Sequence, residues 1–190
     1  MTTPGMIAMV YMVLSRLAYV VGVGTALMRQ DRLHALSREH GVDEGFRRFK
    51  RAASWVMNND AVALVLVCVI TRNTLHVGVS REVLLVGGVI CVATGGWVKL
   101  WARETLGAAA YYWYNFFDPV PMKPLERPGP YRYLANPMYT VGYLPAYGLA
   151  LIAASWPGLV AAAFAQAAIG VFHVVVEKPH FDRLNGAAGR

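Results

Sequence analysis

The sequence predicts an all-α integral membrane bundle of about five transmembrane helices with an interfacial aromatic segment, as one membrane domain over 1–190. Three observations carry that reading. Of 190 residues, 56% are hydrophobic and 15% charged, whereas a soluble domain carries about a quarter charged residues. The apolar residues gather into blocks near the ~20 residues that cross a bilayer. Basic residues also concentrate in alternate connecting segments, the asymmetry that sets membrane orientation. The net charge of +7 therefore fits an anionic membrane surface better than nucleic acid. Cys68 and Cys91 both fall inside apolar blocks, which reads as core packing and offers no disulfide framework or CxxC metal motif.

The first block, 5–28, lacks a basic leader and a small-residue cleavage site, so it reads as an uncleaved span. Arg16 lies near its middle and must face the bundle, with Asp60 an available partner, or snorkel to an interface. The connector 29–51 holds seven basic residues. Its run Arg47-Arg48-Phe49-Lys50-Arg51 reads as a cytoplasmic flank, and His34 and His40 read as solvated. The second block, 52–71, is interrupted by Asn58, Asn59 and Asp60, which pair with neighbouring helices or line a cavity. The third, 82–101, contains Gly95-Gly96, which permits close helix packing or lets a ligand approach the backbone.

Residues 106–117 are dense in aromatics, with Tyr111, Tyr112, Trp113, Tyr114, Phe116 and Phe117 followed by Asp118. They form an interfacial belt or the mouth of a lipid or cofactor cleft. Pro119, Pro121, Pro124, Pro128 and Pro130 then exclude a continuous helix. Asn136-Pro137 is a helix-start signal for the fourth block, 137–153. A helix N-terminus at the membrane edge offers free N–H groups to a carboxylate or phosphate.

Trp156-Pro157-Gly158 reads as a tight turn into the fifth block, 159–176. Such a hairpin brings Asn136 and Tyr139 near His173 and Glu177. Pro179 should stop this last helix, leaving Glu177 at a C-terminus where the helix dipole disfavours an anion. Its carboxylate then pairs with Lys178, Arg183 or Arg132, or holds a cationic ligand group. With the first connector inside, fifteen Lys and Arg lie on the cytoplasmic side and only Arg72 and Arg81 outside. That places the N-terminus outside and the C-terminus in the cytoplasm.

The segment from Tyr131 through Asn136-Pro137-Met138-Tyr139, then Gly148, Ser155, Gly158 and Val176-Glu177-Lys178-Pro179, resembles integral membrane phospholipid methyltransferases of the phosphatidylethanolamine N-methyltransferase type. A wider likeness takes in isoprenylcysteine carboxyl methyltransferases. The resemblance covers roughly 95–182. It implies S-adenosylmethionine as methyl donor, bordered by Gly95, Gly96, Tyr131, Arg132, Tyr133, Leu134, Asn136, Pro137, Tyr139 and Glu177. Glu177 would meet the donor's ammonium, Arg132 or the Asn136 helix start its carboxylate, and Tyr139 its sulfonium.

The acceptor it implies is a membrane phospholipid, met by Tyr111, Tyr114, Phe117 and Asp118. Glu177, His173 or His180 would assist loss of the amine proton. Two positions depart from the family pattern: Lys178 stands where the family has a second Glu, and Thr94-Gly95-Gly96-Trp97 replaces a spaced glycine pair. A carboxyl methyltransferase and a non-enzymatic transporter or assembly protein are the competing readings.

Overall fold

The computed structural model describes residues 2–118, 129–134 and 136–188. In chain order it comprises α1 (Thr3–Leu33), α2 (Ala35–His40), α3 (Val42–Ile70), α4 (Arg81–Leu106), α5 (Val141–Ile152) and α6 (Trp156–Leu184). Among the described residues there is no strand. Pro119, Pro121, Pro124 and Pro128, and the topogenic Lys123, Arg127 and Arg190, lie outside the described residues.

Four helices, α1, α3, α4 and α6, are long and apolar enough to cross a membrane. The expected fourth span is the exception. α5 begins with a 3₁₀ turn at Val141–Tyr143, and its α-helical part is Leu144–Ile152. At 1.5 Å per residue it is shorter than a ~30 Å hydrocarbon core. It is carried instead by α4, whose facing surface is pared down to glycine. A Cβ on Gly148 would stand 2.5 Å from the Gly88 carbonyl, and one on Gly95 would stand 2.8 Å from that of Val141 and collide with the Pro145 ring. Small residues at such a seam let two backbones touch.

The other helices outrun their expected limits because their caps lie in the polar flanks. Thr2 caps α1 through the Gly5 N–H, Ser80 caps α4 through that of Val83, and Ser155 caps α6 through that of Gly158 at 2.8 Å. Trp156 therefore starts α6, and the turn is confined to residues 153–155, with Ala154 at φ +47°. Gly41, at φ +79°, opens α3, so the basic run 47–51 is helical and continuous with the span it was expected to flank.

Pro179 does not end α6, contrary to the expectation. A π-helical turn, His173–Glu177, precedes it, and the Lys178 N–H bonds the carbonyl of His173 five residues back. That one-residue shift absorbs the ring and the missing donor of Pro179. The helix then continues beyond Lys178, its last α-helical segment, Lys178–Ala188, running past the apolar stretch that ends at Leu184.

At one end of the bundle, the α3–α4 connection meets the turn before α6. Asn73 N–H bonds the Ala153 carbonyl at 3.0 Å, and the Thr71 and Ser155 hydroxyls lie 2.6 Å apart. At the opposite end gather the C-terminal parts of α1, α4 and α6, the start of α3, and the segments 107–118 and 129–140. The core there is aromatic, built from Tyr19, Phe46, Phe49, Trp113, Phe116, Phe117 and Phe172.

Candidate functional site

Glu177 lies at the centre of that second end. Continuation of α6 past Pro179 places it inside a helix, not at a C-terminus, and turns it into the bundle, where its side chain is only 8% exposed. None of the expected cations reaches it. Lys178 pairs with Asp182 at 2.8 Å, Arg183 pairs with Asp31, and Arg132 is exposed with its guanidinium 5.9 Å from the Tyr133 ring centre. The carboxylate is held by Trp113, Tyr139 and His173. Trp113 Nε1–H donates to Oε1 at 2.5 Å, the Tyr139 hydroxyl to the same oxygen at 2.6 Å, and His173 Nδ1 faces Oε2 at 2.6 Å.

Each partner is positioned by a different element. His173 is one turn before Glu177 on α6, on the same helical face. Tyr139 belongs to a turn built by Asn136, whose Oδ1 accepts from the Tyr139 N–H at 3.3 Å and whose carbonyl accepts from Thr140. Asn136 and Pro137 thus form a capped turn ahead of the α5 helix, and the predicted α-helix start at 137 is displaced to Leu144. Gln166 braces the turn by donating to the Tyr139 carbonyl at 3.0 Å. Trp113 comes from the aromatic segment and has φ +59°. For a bulky side chain that is an outlier conformation, and it is the one that brings the indole N–H to Glu177.

The aromatic segment is therefore more than a belt. Trp113, Phe116 and Phe117 are buried, with Phe117 stacked obliquely or edge-on against Phe49 and Phe46 at 5.4 and 5.5 Å. Tyr111 and Tyr114 are half-buried and Asp118 exposed. Burial raises the Tyr111 phenol above its usual range, with neighbouring Tyr112 adding to the effect.

Gly129–Arg132 forms a 3₁₀ turn seated on α4, where a Cβ on Gly129 would stand 3.1 Å from the Trp101 indole nitrogen. On this turn Tyr131 is half-buried; burial and, to a lesser degree, the negative charge of Glu177 push its phenol up to about 12. Leu134 is half-buried, while Tyr133 is 72% exposed. Gly95 is consumed by the α4–α5 seam, and Gly96 has open space where a side chain would stand.

His180 is buried, stacked on Phe116 at 3.7 Å, with Nδ1 2.7 Å from Asp31 Oδ1 on α1. It lies within an α1–α6 tie and is not among the groups on Glu177. Asp31 and Trp113 are the two participants that sequence reading did not single out. Asp31 sits among Arg29 and Arg32 and looks solvated, and nothing local marks Trp113 within an aromatic run.

Fold and site together define a helical membrane protein with polar groups clustered around one buried acid at a bundle end. A sequence profile described as phospholipid methyltransferase matches residues 83–188, and the chain belongs to that family. It is 33% identical over 141 residues to a phosphatidylethanolamine N-methyltransferase of Penicillium rubens, an alignment covering 68% of this chain and 14% of the relative. Against the protein of that name in Talaromyces marneffei it is 30% identical over 169 residues, 83% of this chain and 17% of the relative. For Debaryomyces hansenii the figures are 28% over 151 residues, 74% and 17%. The matched chain thus spans less than a fifth of these relatives' own length. No solved structure matches.

Proposed function

We propose that this chain transfers methyl groups from S-adenosylmethionine to the headgroup amine of phosphatidylethanolamine or its methylated forms. The observation that carries this reading is the state of Glu177, buried yet held by Trp113, Tyr139 and a histidine, with no Lys or Arg against it among the described residues. A carboxylate offers about four acceptor positions, and three are taken. The fourth, facing no Lys or Arg among the described residues, suits the α-ammonium of the donor. Aromatic rings surround the acid: Trp113 lies edge-to-face with Phe172 at 5.6 Å, and Tyr139 edge-to-face with His173 at 5.8 Å. Such faces attract a sulfonium.

When bound, S-adenosylmethionine supplies a methyl group on sulfur that needs only an aligned nucleophile. The chain's task is to position the amine and remove its proton. An ionised Glu177 fixes the proton of neutral His173 on Nδ1, leaving Nε2 with a free lone pair. The His173 side chain is 34% exposed against 8% for Glu177, so Nε2 is the group within reach of an incoming ammonium. Tyr111 and Tyr114, half-buried on the segment that carries Trp113, border the approach of a lipid whose tails stay in the bilayer.

The reading includes an outside N-terminus and a cytoplasmic C-terminus, supported by the basic residues of 29–51. A reporter active only in the cytoplasm, fused after Arg190, should give signal; a signal from an exoplasmic reporter there would reverse the orientation. For the activity, the protein is reconstituted in liposomes with phosphatidylethanolamine, its monomethyl form, a farnesyl-cysteine analogue and labelled S-adenosylmethionine. Label should enter the phospholipids, faster at alkaline than at mildly acidic pH, because only the neutral amine is nucleophilic. Label in the prenyl analogue alone would move the chain to carboxyl methylation. Failure to bind the methyl donor would leave a non-enzymatic role.

A further inference from the structure

A second polar centre lies deeper, where α1, α3, α4 and α5 meet. Arg16 on α1 and Asp60 on α3 are each 4% exposed and pair through Nη2 and Oδ2 at 2.5 Å. The Arg16 guanidinium is 5.9 Å from the Tyr143 ring centre, and Lys99 Nζ on α4 is 5.9 Å from the same centre. Two cations therefore stand about one tyrosine ring; Asp60 pairs with Arg16, and Lys99 enters no ion pair among the described residues. The pairing is also incomplete. Arg16 Nε and Nη1, and Asp60 Oδ1, are buried with no partner among the described residues. Leaving buried charged groups unsatisfied is costly, so the two free guanidinium nitrogens and Lys99 call for an anion with several acceptor oxygens, while Asp60 Oδ1 calls for a donor.

Position says which anion. Trp97 and Trp101 flank Lys99 two residues to either side, and both are exposed. Exposed tryptophans mark the membrane–water interface, so Lys99 stands at headgroup level while Arg16 lies inside. The cluster adjoins the Glu177 site through Tyr19, which carries the Arg16 guanidinium 5.3 Å from its ring centre and lies 6.4 Å from Phe172.

We propose that Lys99 and Arg16 bind the phosphodiester of the acceptor lipid, with Asp60 fixing the guanidinium. A phosphodiester carries one negative charge, which matches the surplus of one cation, and its free oxygens suit both a guanidinium fork and a point-charge ammonium. The inference rests on the acceptor assigned above and names the part of it that this centre recognises.

The test reads binding, without turnover. Purified protein in neutral detergent is titrated with short-chain phosphatidylethanolamine, with a diacyl amine lacking the phosphate, and with S-adenosylmethionine, following thermal stabilisation. Wild type should bind the phosphate-bearing lipid at least about tenfold more tightly than the phosphate-free amine, the size of one charge-assisted bond. Lys99→Gln should erase that preference and Lys99→Arg retain it, both with unchanged affinity for S-adenosylmethionine. Lys99 is only half-buried, so these variants avoid the instability expected of Arg16 replacements. Equal wild-type affinity for the two lipids overturns the proposal. So does a Lys99→Gln defect confined to S-adenosylmethionine, which would assign the centre to the donor's carboxylate. Absence of methyl transfer would instead count against the proposed activity and leave this lipid preference to stand or fall by itself.

Discussion

Glu177 and Asp60 are the carboxylates buried among the described residues, and they are stabilised in opposite ways. Glu177 takes two hydrogen bonds from neutral Trp113 and Tyr139 and a third contact from His173. Among the described residues no Lys or Arg lies against it. Asp60 is neutralised by Arg16, yet one of its oxygens and two guanidinium nitrogens lack partners. The first centre lacks a Lys or Arg among the described residues and keeps one acceptor position open; the second has its acid's charge closed and its hydrogen bonding incomplete, with Lys99 unpaired among the described residues. A bundle end rich in Trp and Tyr can hold an anion without a cation. Asp60, whose Oδ1 has no donor among the described residues, is neutralised by an arginine.

Breaking the Arg16–Asp60 pair is the largest available perturbation. Asp60→Leu should destabilise the protein by about 3–5 kcal/mol, because it strands a buried guanidinium. Arg16→Met combined with Asp60→Leu should recover most of that loss. Thermal unfolding of the four-member cycle in detergent measures it, and an additive double variant would mean that the two charges do not interact.

At the other centre, Glu177→Gln keeps the volume and removes the charge. Affinity for S-adenosylmethionine should fall well beyond tenfold, as expected from losing charge-assisted bonds worth ~1.5–3 kcal/mol. Calorimetry showing unchanged affinity would reduce Glu177 to a packing residue. The asymmetry predicts that Asp60→Leu acts first on stability and Glu177→Gln first on the ligand.

Gly95→Ala probes the seam that sets α4, carrying Lys99, against α5, carrying Tyr143. Overpacking there should cost roughly 1–3 kcal/mol, while Gly96→Ala, with open space around it, should be neutral or slightly stabilising. Equal effects at the two glycines would refute the close α4–α5 contact.

The smallest effect is on Tyr131. Its phenol is pushed up to about 12 in the folded protein, against ~10 when unfolded. The unfolded chain therefore ionises first, and stability falls as pH rises from about 10 towards 12. Tyr131→Phe should remove that fall and change nothing below pH 10. A pH series of unfolding midpoints checks it, and an identical decline in the variant would place the titrating group elsewhere.

Several features were legible because they follow from local chemistry. Block lengths and charge placement gave the helical membrane class, and the rarity of mid-span charge made Asp60 an available partner for Arg16. A hairpin between two apolar blocks brought Tyr139, His173 and Glu177 together on paper. The misreadings share another cause. Pro179 was expected to end a helix, but a proline stops a helix only where its ring meets the carbonyl behind it, and the π turn at His173–Glu177 moves that carbonyl. The Asn136-Pro137 signal was real as a cap and wrong as a helix start, since the chain must complete a turn before Pro145 and Gly148 can press against α4.

What the sequence by itself determined is therefore set by solvent transfer and caps: which segments leave water, where helices can begin, and which charges must find company. The tertiary structure decided which company. Trp113 reaches Glu177 only through a left-handed backbone conformation, and Asp31 reaches His180 across 149 residues. Lys99 meets Tyr143 only because glycines let α4 and α5 close together. Hydrogen bonds and ion pairs act over a few ångströms, so their partners are fixed by packing between helices, which no stretch of sequence contains by itself.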